Sequence, residues 1–140
     1  MKNKVYIGNP GDAIPLLNKY MRKKTEHFGV LVLNAFHEVV CEKLLFMGSE
    51  DKCLVVPRVI FWEACKKNGR AIIIYHNHPS GHCEPSSYDI EVTQKIKKCS
   101  DVMGIELLDH IIIGCHSYYS FLEHDCVLST HDEEVEVAER

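Results

Sequence analysis

The stretch AIIIYHNHPSG, residues 71–81, decides the fold. Its first part, Ala71 to Tyr75, is short and wholly apolar, which is typical of a strand buried on both faces of a sheet. The chain then becomes polar from His76 to Pro85, and Pro79 and Gly81 favour turns there. The stretch therefore predicts a central strand that ends in a polar loop at the edge of the sheet.

Helical and strand patterns alternate on both sides of this central strand. Before it, they predict a helix over 11–24, strands over 28–33 and 38–46, a loop over 48–51, a short strand over 53–56 and a helix from Pro57 to about 67, ended by Gly69. After it, they predict a helix over 86–103, ended by Gly104, and strands over 105–113 and 118–122. This order predicts an α/β (α+β) fold in which helices flank one mixed β-sheet.

The composition is that of one ordinary globular domain. The chain has 140 residues with 46% hydrophobic and 26% charged positions, which excludes disorder and a disulfide mini-scaffold. Seven cysteines, an odd number without a C-x-x-C pair, are typical of buried free thiols in a reducing compartment, and not of a zinc knuckle. Because we find neither a signal peptide nor an apolar run long enough to span a membrane, we expect a cytoplasmic protein without membrane contact.

The charge is concentrated at the C-terminus. The last ten residues hold five acidic groups and one basic group, which accounts for the whole formal charge of −4 and leaves residues 1–130 neutral. An extended nucleic-acid interface usually carries a basic surplus, so nucleic acid is a weakly supported partner.

Two histidines and one aspartate stand where a metal site could form. His76 and His78 are two positions apart at the end of a strand, so they point to the same face, and Asp89 falls about one turn into the next helix. Two imidazoles, a carboxylate and an open fourth position make up a catalytic zinc site. The residues alone leave a second interpretation open, because Ser86-x-x-Asp89 is also a capping-box pattern and the histidines could be ordinary loop residues.

The complete pattern resembles the RadC-like branch of the JAB/MPN family. It consists of HNHPSG at 76–81, PSSYD at 85–89 and GIELLDH at 104–110, with Glu26-His27-Phe28 upstream. The JAMM metalloprotease signature of that family is a distant Glu, then H-x-H, seven residues and S-x-x-D, and residues 79–85 supply the seven. The resemblance covers roughly residues 24–122.

The resemblance implies a JAB/MPN-like (cytidine-deaminase-like) fold and a zinc-dependent hydrolase that cleaves peptide or isopeptide bonds in an unknown protein or peptide substrate. His76, His78 and Asp89 would bind one Zn²⁺ per chain, Ser86 would stabilise the oxyanion or orient water, and Glu26 would be the general base. Without the resemblance, Glu26 could not be chosen over Glu38, Glu42 or Glu84. Two alternatives stay open: a role in DNA repair or processing, and a non-catalytic MPN interaction module.

The resemblance also implies a domain organisation. Residues 1–23 would be an N-terminal helical segment of the same domain, 24–125 the RadC-like JAB/MPN domain, and 126–140 an acidic tail. We expect a short form without the helix-hairpin-helix region usual in the family. Some positions leave roles open: His82 or Cys83 could occupy the open metal position, His110 could be structural or contact a ligand, and Arg58 could pack or line the substrate groove.

Overall fold

The computed structural model describes residues 4–48, 54–124 and 128. A five-stranded mixed sheet is its centre, with the strand order β2-β1-β3-β4-β5. The strands are β1 His27–Leu33, β2 Val39–Met47, β3 Ala71–Asn77, β4 Glu106–Ile113 and β5 Tyr118–Ser120. The helices are α1 Ile14–Leu17, which lies between the 3-10 turns Pro10–Ala13 and Asn18–Tyr20, α2 Pro57–Lys66 and α3 Ser87–Met103. The predicted mixed sheet flanked by helices is confirmed.

The apolar run from Ala71 occupies the middle of the sheet, as predicted. All seven residues of β3 are buried, and β3 pairs antiparallel with β1 and parallel with β4. The parallel pairing requires a crossover connection, which α3 supplies. Since β3 ends at Asn77, both histidines of the H-x-H pair lie at its carboxyl end, and the loop that follows leads directly into α3.

Each face of the sheet has its own hydrophobic core. Helices α2 and α3 cover one face, where Ile60 and Ile96 pack against β-strand side chains such as Ile74. The N-terminal helical segment covers the other face through residues such as Leu17 and Tyr20. The candidate metal ligands His76, His78 and Asp89 lie on the α2/α3 side, at the carboxyl end of β3.

Two of the predicted helix termini, the start of α2 and the end of α3, are found where the sequence signals indicate. Pro57 is the first residue of α2, where its missing N–H costs no hydrogen bond. Gly104 ends α3 in the left-handed conformation with φ 70°, and its N–H donates to the Ser100 carbonyl. The end of α2 differs from the prediction, because the left-handed residue is Asn68 (φ 52°) and not Gly69. Gly69 is needed for space, since a Cβ there would overlap Val32.

Other local predictions are wrong. The single helix expected over 11–24 is a broken series of short turns that ends at Tyr20. Residues 54–56 form no strand, and Cys53 lies outside the described residues. The thiols predicted as core residues are half-buried at Cys41, Cys99 and Cys115 and exposed at Cys65. Cys41 and Cys99 pack against the margin of the α2/α3 core.

Several predictions concern residues that lie mostly or wholly outside the described part of the chain. They include most of the loop over 48–51 and the acidic tail, of which only Leu128 is described, packed against the α2/α3 core. The division into residues 1–23, 24–125 and 126–140 stays a prediction. Among the described residues, no helix is both long and apolar enough to cross a membrane.

Candidate metal centre

His76 and His78 bring two imidazole nitrogens together at the end of β3. The alternation of a strand points both side chains to the α3 side, and their Nε2 atoms lie 3.1 Å apart. His76 is buried beneath Phe28, whose ring stacks on it with a centroid distance of 5.8 Å. His78 is at the rim, with 16% of its side chain exposed. One imidazole therefore forms the floor of the site and the other faces its opening.

Asp89 reaches both imidazoles from the first turn of α3. Its Oδ1 lies 3.1 Å from His76 Nε2, and its Oδ2 lies 2.9 Å from His78 Nε2. Burial by itself would raise the pKa of Asp89, but the hydrogen bonds with the two histidines hold that pKa well below its ordinary value. The side chain is consequently a carboxylate, although it is only 6% exposed.

Ser86 fixes the direction of Asp89. It is the N-cap of α3, where its Oγ accepts a hydrogen bond from the Asp89 N–H at 3.1 Å, and its own N–H donates to Asp89 Oδ2 at 2.9 Å. This is the capping box that the sequence pattern indicated. The cap and the metal interpretation are compatible, because the capping bonds aim the Asp89 carboxylate at the histidines.

Glu26 enters the site from a separate element. It directly precedes β1, is 6% exposed, and its Oε1 lies 4.0 Å from His76 Nε2. Its carbonyl accepts a hydrogen bond from the Gly48 N–H at 2.9 Å, which ties this part of the chain to the end of β2. Of the four glutamates considered from the sequence, Glu38 and Glu42 lie in interactions away from His76, with Asn34 and with Lys19 respectively.

These donors fit a small, tetrahedrally bound cation. Ligand atoms 2.0–2.1 Å from a tetrahedral zinc ion are about 3.3 Å from one another. The three distances among His76, His78 and Asp89, 2.9–3.1 Å, are close to that value. A second set, Glu26 with both histidines, offers atoms within 4.8 Å of one another. In this second set, Glu26 Oε1 lies 4.0 Å from His76 Nε2, farther than the 3.1 Å of Asp89 Oδ1. The geometry therefore favours Asp89 as the third ligand and places Glu26 farther from the two imidazoles.

A buried hydrogen-bond relay fixes the tautomer of His76. The hydroxyl of Thr93 donates its single proton to the Asp89 carbonyl at 2.7 Å, so it must accept from Nδ1–H of His110 at 2.6 Å. The Nε2 atom of His110 then accepts from Nδ1–H of His76 at 2.8 Å. Consequently, Nδ1 of His76 carries a proton inside the relay, and Nε2 is the atom that faces the site, as in a metal-ligating histidine.

His110 faces this relay because of an irregularity in β4. Where β4 pairs with β3, the register shifts between Ile72 and Ile73, and Leu108 is the extra residue. The shift reverses which side chains of β4 face α3, so that His110 lies beside His76. Burial lowers the pKa of His110 well below its ordinary value, which keeps this imidazole neutral.

The loop after β3 orients His78. Nδ1 of His78 donates to the His82 carbonyl at 3.0 Å, which leaves Nε2 toward Asp89. The side chain of His82 is exposed, and the Cys83 thiol lies 3.2 Å from the hydroxyl of Ser117. Within the described residues, neither joins a cluster of three potential metal ligands. Arg58 is exposed on α2 beside Trp62, in a surface groove that does not include the histidines.

Asp109 is buried on the opposite face of the sheet. It accepts hydrogen bonds from the Ser120 hydroxyl at 2.6 Å and from the backbone N–H groups of Leu122 and His110 at 3.0 and 2.7 Å. Burial raises its pKa to about 6. These contacts attach β5 and the following turn to β4, so the carboxyl group stabilises the strand that carries His110.

The chain matches a known protein family over most of its length. A model of the RadC-like JAB domain matches residues 7–126. The chain belongs to the RadC-like JAB domain family. Relatives include a UPF0758 protein of Clostridium tetani (strain Massachusetts / E88), 49% identical over 120 residues, which are 85% of this chain and 53% of that protein. A UPF0758 protein of Bacillus cereus (strain ZK / E33L) is 42% identical over 123 residues, 87% of this chain and 55% of that protein.

A UPF0758 protein of Staphylococcus haemolyticus (strain JCSC1435) is 40% identical over 121 residues, which are 86% of this chain and 53% of that protein. The chain therefore spans about half the length of the curated relatives it matches. The resemblance to the RadC-like family, expected over roughly residues 24–122, is confirmed and extends further toward the N-terminus. The names of these relatives state no activity.

Two residues of this RadC-like domain's centre had no signal of their own in the sequence. Thr93 is an ordinary helix residue until the fold brings its hydroxyl to His110. Asn77 reads as the middle letter of H-x-H, yet its side chain is almost wholly buried and holds the segment that carries Glu26. For His110, the sequence offered a ligand contact as one of two alternatives, and the structure places it against His76.

Proposed function

We propose that this RadC-like domain is a zinc-dependent hydrolase of the JAMM type that cleaves a peptide or isopeptide bond. One observation carries the proposal: two imidazoles and the Asp89 carboxylate converge at 2.9–3.1 Å, with the Glu26 carboxylate 4.0 Å from His76. A convergence of three ligands with a separate carboxylate beside them is the arrangement of a catalytic metal site, whereas a scaffold module has no need of it.

The ligands would be His76, His78 and Asp89. The relay through His110 and the bond to the His82 carbonyl engage the Nδ1 atoms and leave Nε2 of each histidine toward the site, where a bound ion would replace the proton shared with Asp89; the low pKa of Asp89 keeps its carboxylate charged. A zinc ion bound by these atoms would act as a Lewis acid and lower the pKa of the water it binds.

Glu26 would move the proton in this reaction. Its carboxylate is buried just before β1, and its Oε1 lies 4.0 Å from Nε2 of His76. A carboxylate in this position can accept a proton from the attacking water and pass it to the leaving amine. Its backbone is held on both sides, which keeps the carboxylate within reach of the reacting atoms.

Ser86 would donate a hydrogen bond to the substrate. In the capping box its oxygen serves as an acceptor for the Asp89 N–H, so the hydroxyl proton can be donated elsewhere. Ser86 is exposed, at the mouth of the site, where a scissile carbonyl would enter. A donor at that place would stabilise the developing oxyanion.

The test is hydrolysis of a peptide and isopeptide library by the zinc-loaded domain. We expect turnover that a chelator removes and zinc restores, and a loss of about 10²–10⁴-fold in Glu26→Gln with its zinc content unchanged, as for the removal of a general base. If Glu26→Gln turns over as fast as the unaltered protein, or if the zinc-loaded domain cleaves nothing, the proposed hydrolase is wrong.

A further inference from the structure

Asn77 stands between the two histidines but serves the opposite side of β3. Strand alternation directs its side chain away from His76 and His78, and it is only 1% exposed. Its Oδ1 accepts a hydrogen bond from the His27 N–H at 2.6 Å, and its Nδ2 donates to the Thr25 carbonyl at 3.1 Å. A third, longer contact joins Nδ2 to the Lys23 carbonyl at 3.4 Å.

The Asn77 side chain provides hydrogen bonds to the backbone just beyond the end of the β1–β3 ladder. The antiparallel ladder between β1 and β3 runs from Leu33↔Ala71 to Phe28↔His76 and ends there. The residue before Phe28 has no ladder partner on β3, and its N–H would be left buried without an acceptor. The Asn77 amide supplies that acceptor and, with its NH₂ group, a donor for the chain two residues earlier.

The two contacts enclose one residue. The Thr25 carbonyl precedes Glu26 and the His27 N–H follows it, so a single side chain holds the backbone on both sides of Glu26. Because Asn77 belongs to the strand that carries both histidines, it joins the acid–base residue and the ligands through one rigid element. Only a side chain with both a donor and an acceptor can make this pair of contacts.

We propose that Asn77 is a positioning residue that sets the distance of the Glu26 carboxylate from the metal ligands. The inference rests on the proposed function, because it assigns to Asn77 an effect that is exerted through Glu26. It also explains why the residue between the histidines should be an amide: Asp would keep the acceptor for the His27 N–H but would place a carboxylate against the Thr25 carbonyl.

The experiment uses Co²⁺ as the probe, because its visible absorption reports the groups around the ion. Glu26→Gln removes a negative charge beside the ion, so the pH midpoint of the spectrum should fall. Asn77→Ala should lower the midpoint by at least half as much and keep the Kd for Co²⁺ within about threefold, unlike the 10–100-fold loss typical of an altered ligand contact. Asn77→Ser, which adds no charge, is the second variant, should the alanine variant not fold, with the same expectation.

Two controls separate positioning from stability. Asn34 lies just after the other end of β1 and also makes three hydrogen bonds through its side chain, so Asn34→Ala should destabilise the fold and leave the midpoint unchanged. In the Glu26→Gln background, Asn77→Ala should add no further shift, because its effect passes through Glu26. An additive shift in the double variant, or an unchanged midpoint in both Asn77 variants, would overturn the proposal.

The outcomes also distinguish this proposal from the proposed function. If Co²⁺ does not bind, or if Glu26→Gln leaves the midpoint unmoved, the hydrolase site itself is wrong and the role of Asn77 falls with it. If Co²⁺ binds and Glu26→Gln moves the midpoint while the Asn77 variants do not, only the positioning role is overturned.

Discussion

Replacing Thr93 with Val tests the relay that presents His76 to the metal. Val has nearly the shape of Thr but lacks the hydroxyl, so the change removes the acceptor 2.6 Å from Nδ1–H of His110. His110 is fully buried, and a buried donor without a partner costs about 1–3 kcal/mol. We expect the metal-free Thr93→Val protein to lose that amount of unfolding free energy in urea.

The same change should weaken zinc binding. Without Thr93 Oγ1, the proton of His110 is no longer held on Nδ1, and a proton on Nε2 would face the Nδ1–H of His76. His76 would then have to carry its proton on the nitrogen that faces the site. We expect the Kd for zinc to rise about 10–100-fold, as for other contacts behind a metal-ligating histidine. A competition titration against a chromophoric chelator measures it.

Thr93→Ser is the matched control. It keeps the hydroxyl and removes only a methyl group, so its zinc affinity should stay close to that of the unaltered protein, whatever its stability. The reasoning is refuted if Thr93→Val loses 1–3 kcal/mol of stability while its zinc Kd stays within about twofold, because the hydroxyl would then support the core without orienting the ligand.

Three further changes test other parts of the account. Ser86→Ala should cost about 1 kcal/mol of unfolding free energy and Ser86→Asn almost none, since Asn also caps helices; equal losses in thermal unfolding would refute the cap. Burial alone lowers the pKa of His78, but Asp89 outweighs it and raises that pKa, so the metal-free fold should lose stability as pH rises through the folded pKa. Zinc affinity should rise by about tenfold per pH unit below that pKa, because the ion displaces the proton; pH-independent calorimetric titrations would contradict this. Gly29→Ala should lower the free energy of unfolding by about 1–3 kcal/mol or more, because a Cβ there overlaps Tyr75 and a β2 carbonyl. An unchanged urea midpoint would contradict this close packing.

The sequence predicted those parts of the fold whose signals are local. The apolar run of β3, the Pro57 start of α2 and the capping box before α3 each depend on residues close together in the chain, and each is found where the pattern indicates. They also place His76, His78 and Asp89, because a strand end and a helix start joined by one loop lie side by side. With Ser86, the N-cap residue, four of the five candidate site residues thus follow from local rules.

The remaining features depend on pairing between distant segments. The extra residue at Leu108 turns His110 toward the site, and no local pattern indicates it, because the shift exists only in the register with β3. Glu26 was chosen through the family resemblance, and what holds it, the Asn77 amide, acts across 50 residues of chain. The segment before Tyr20 has apolar residues at helical spacing, which predicts one regular helix, whereas the fold divides it into 3-10 and α-helical turns.

The zinc content of the purified domain tests the central claim most directly. After equilibration with excess zinc and gel filtration, elemental analysis should find one zinc per chain in the unaltered protein, and His78→Ala and Asp89→Ala should lose it. Glu26→Gln should keep the full content, because Glu26 lies beyond the ligands. An unaltered protein without bound zinc, or a full zinc content in both ligand variants, would contradict the account.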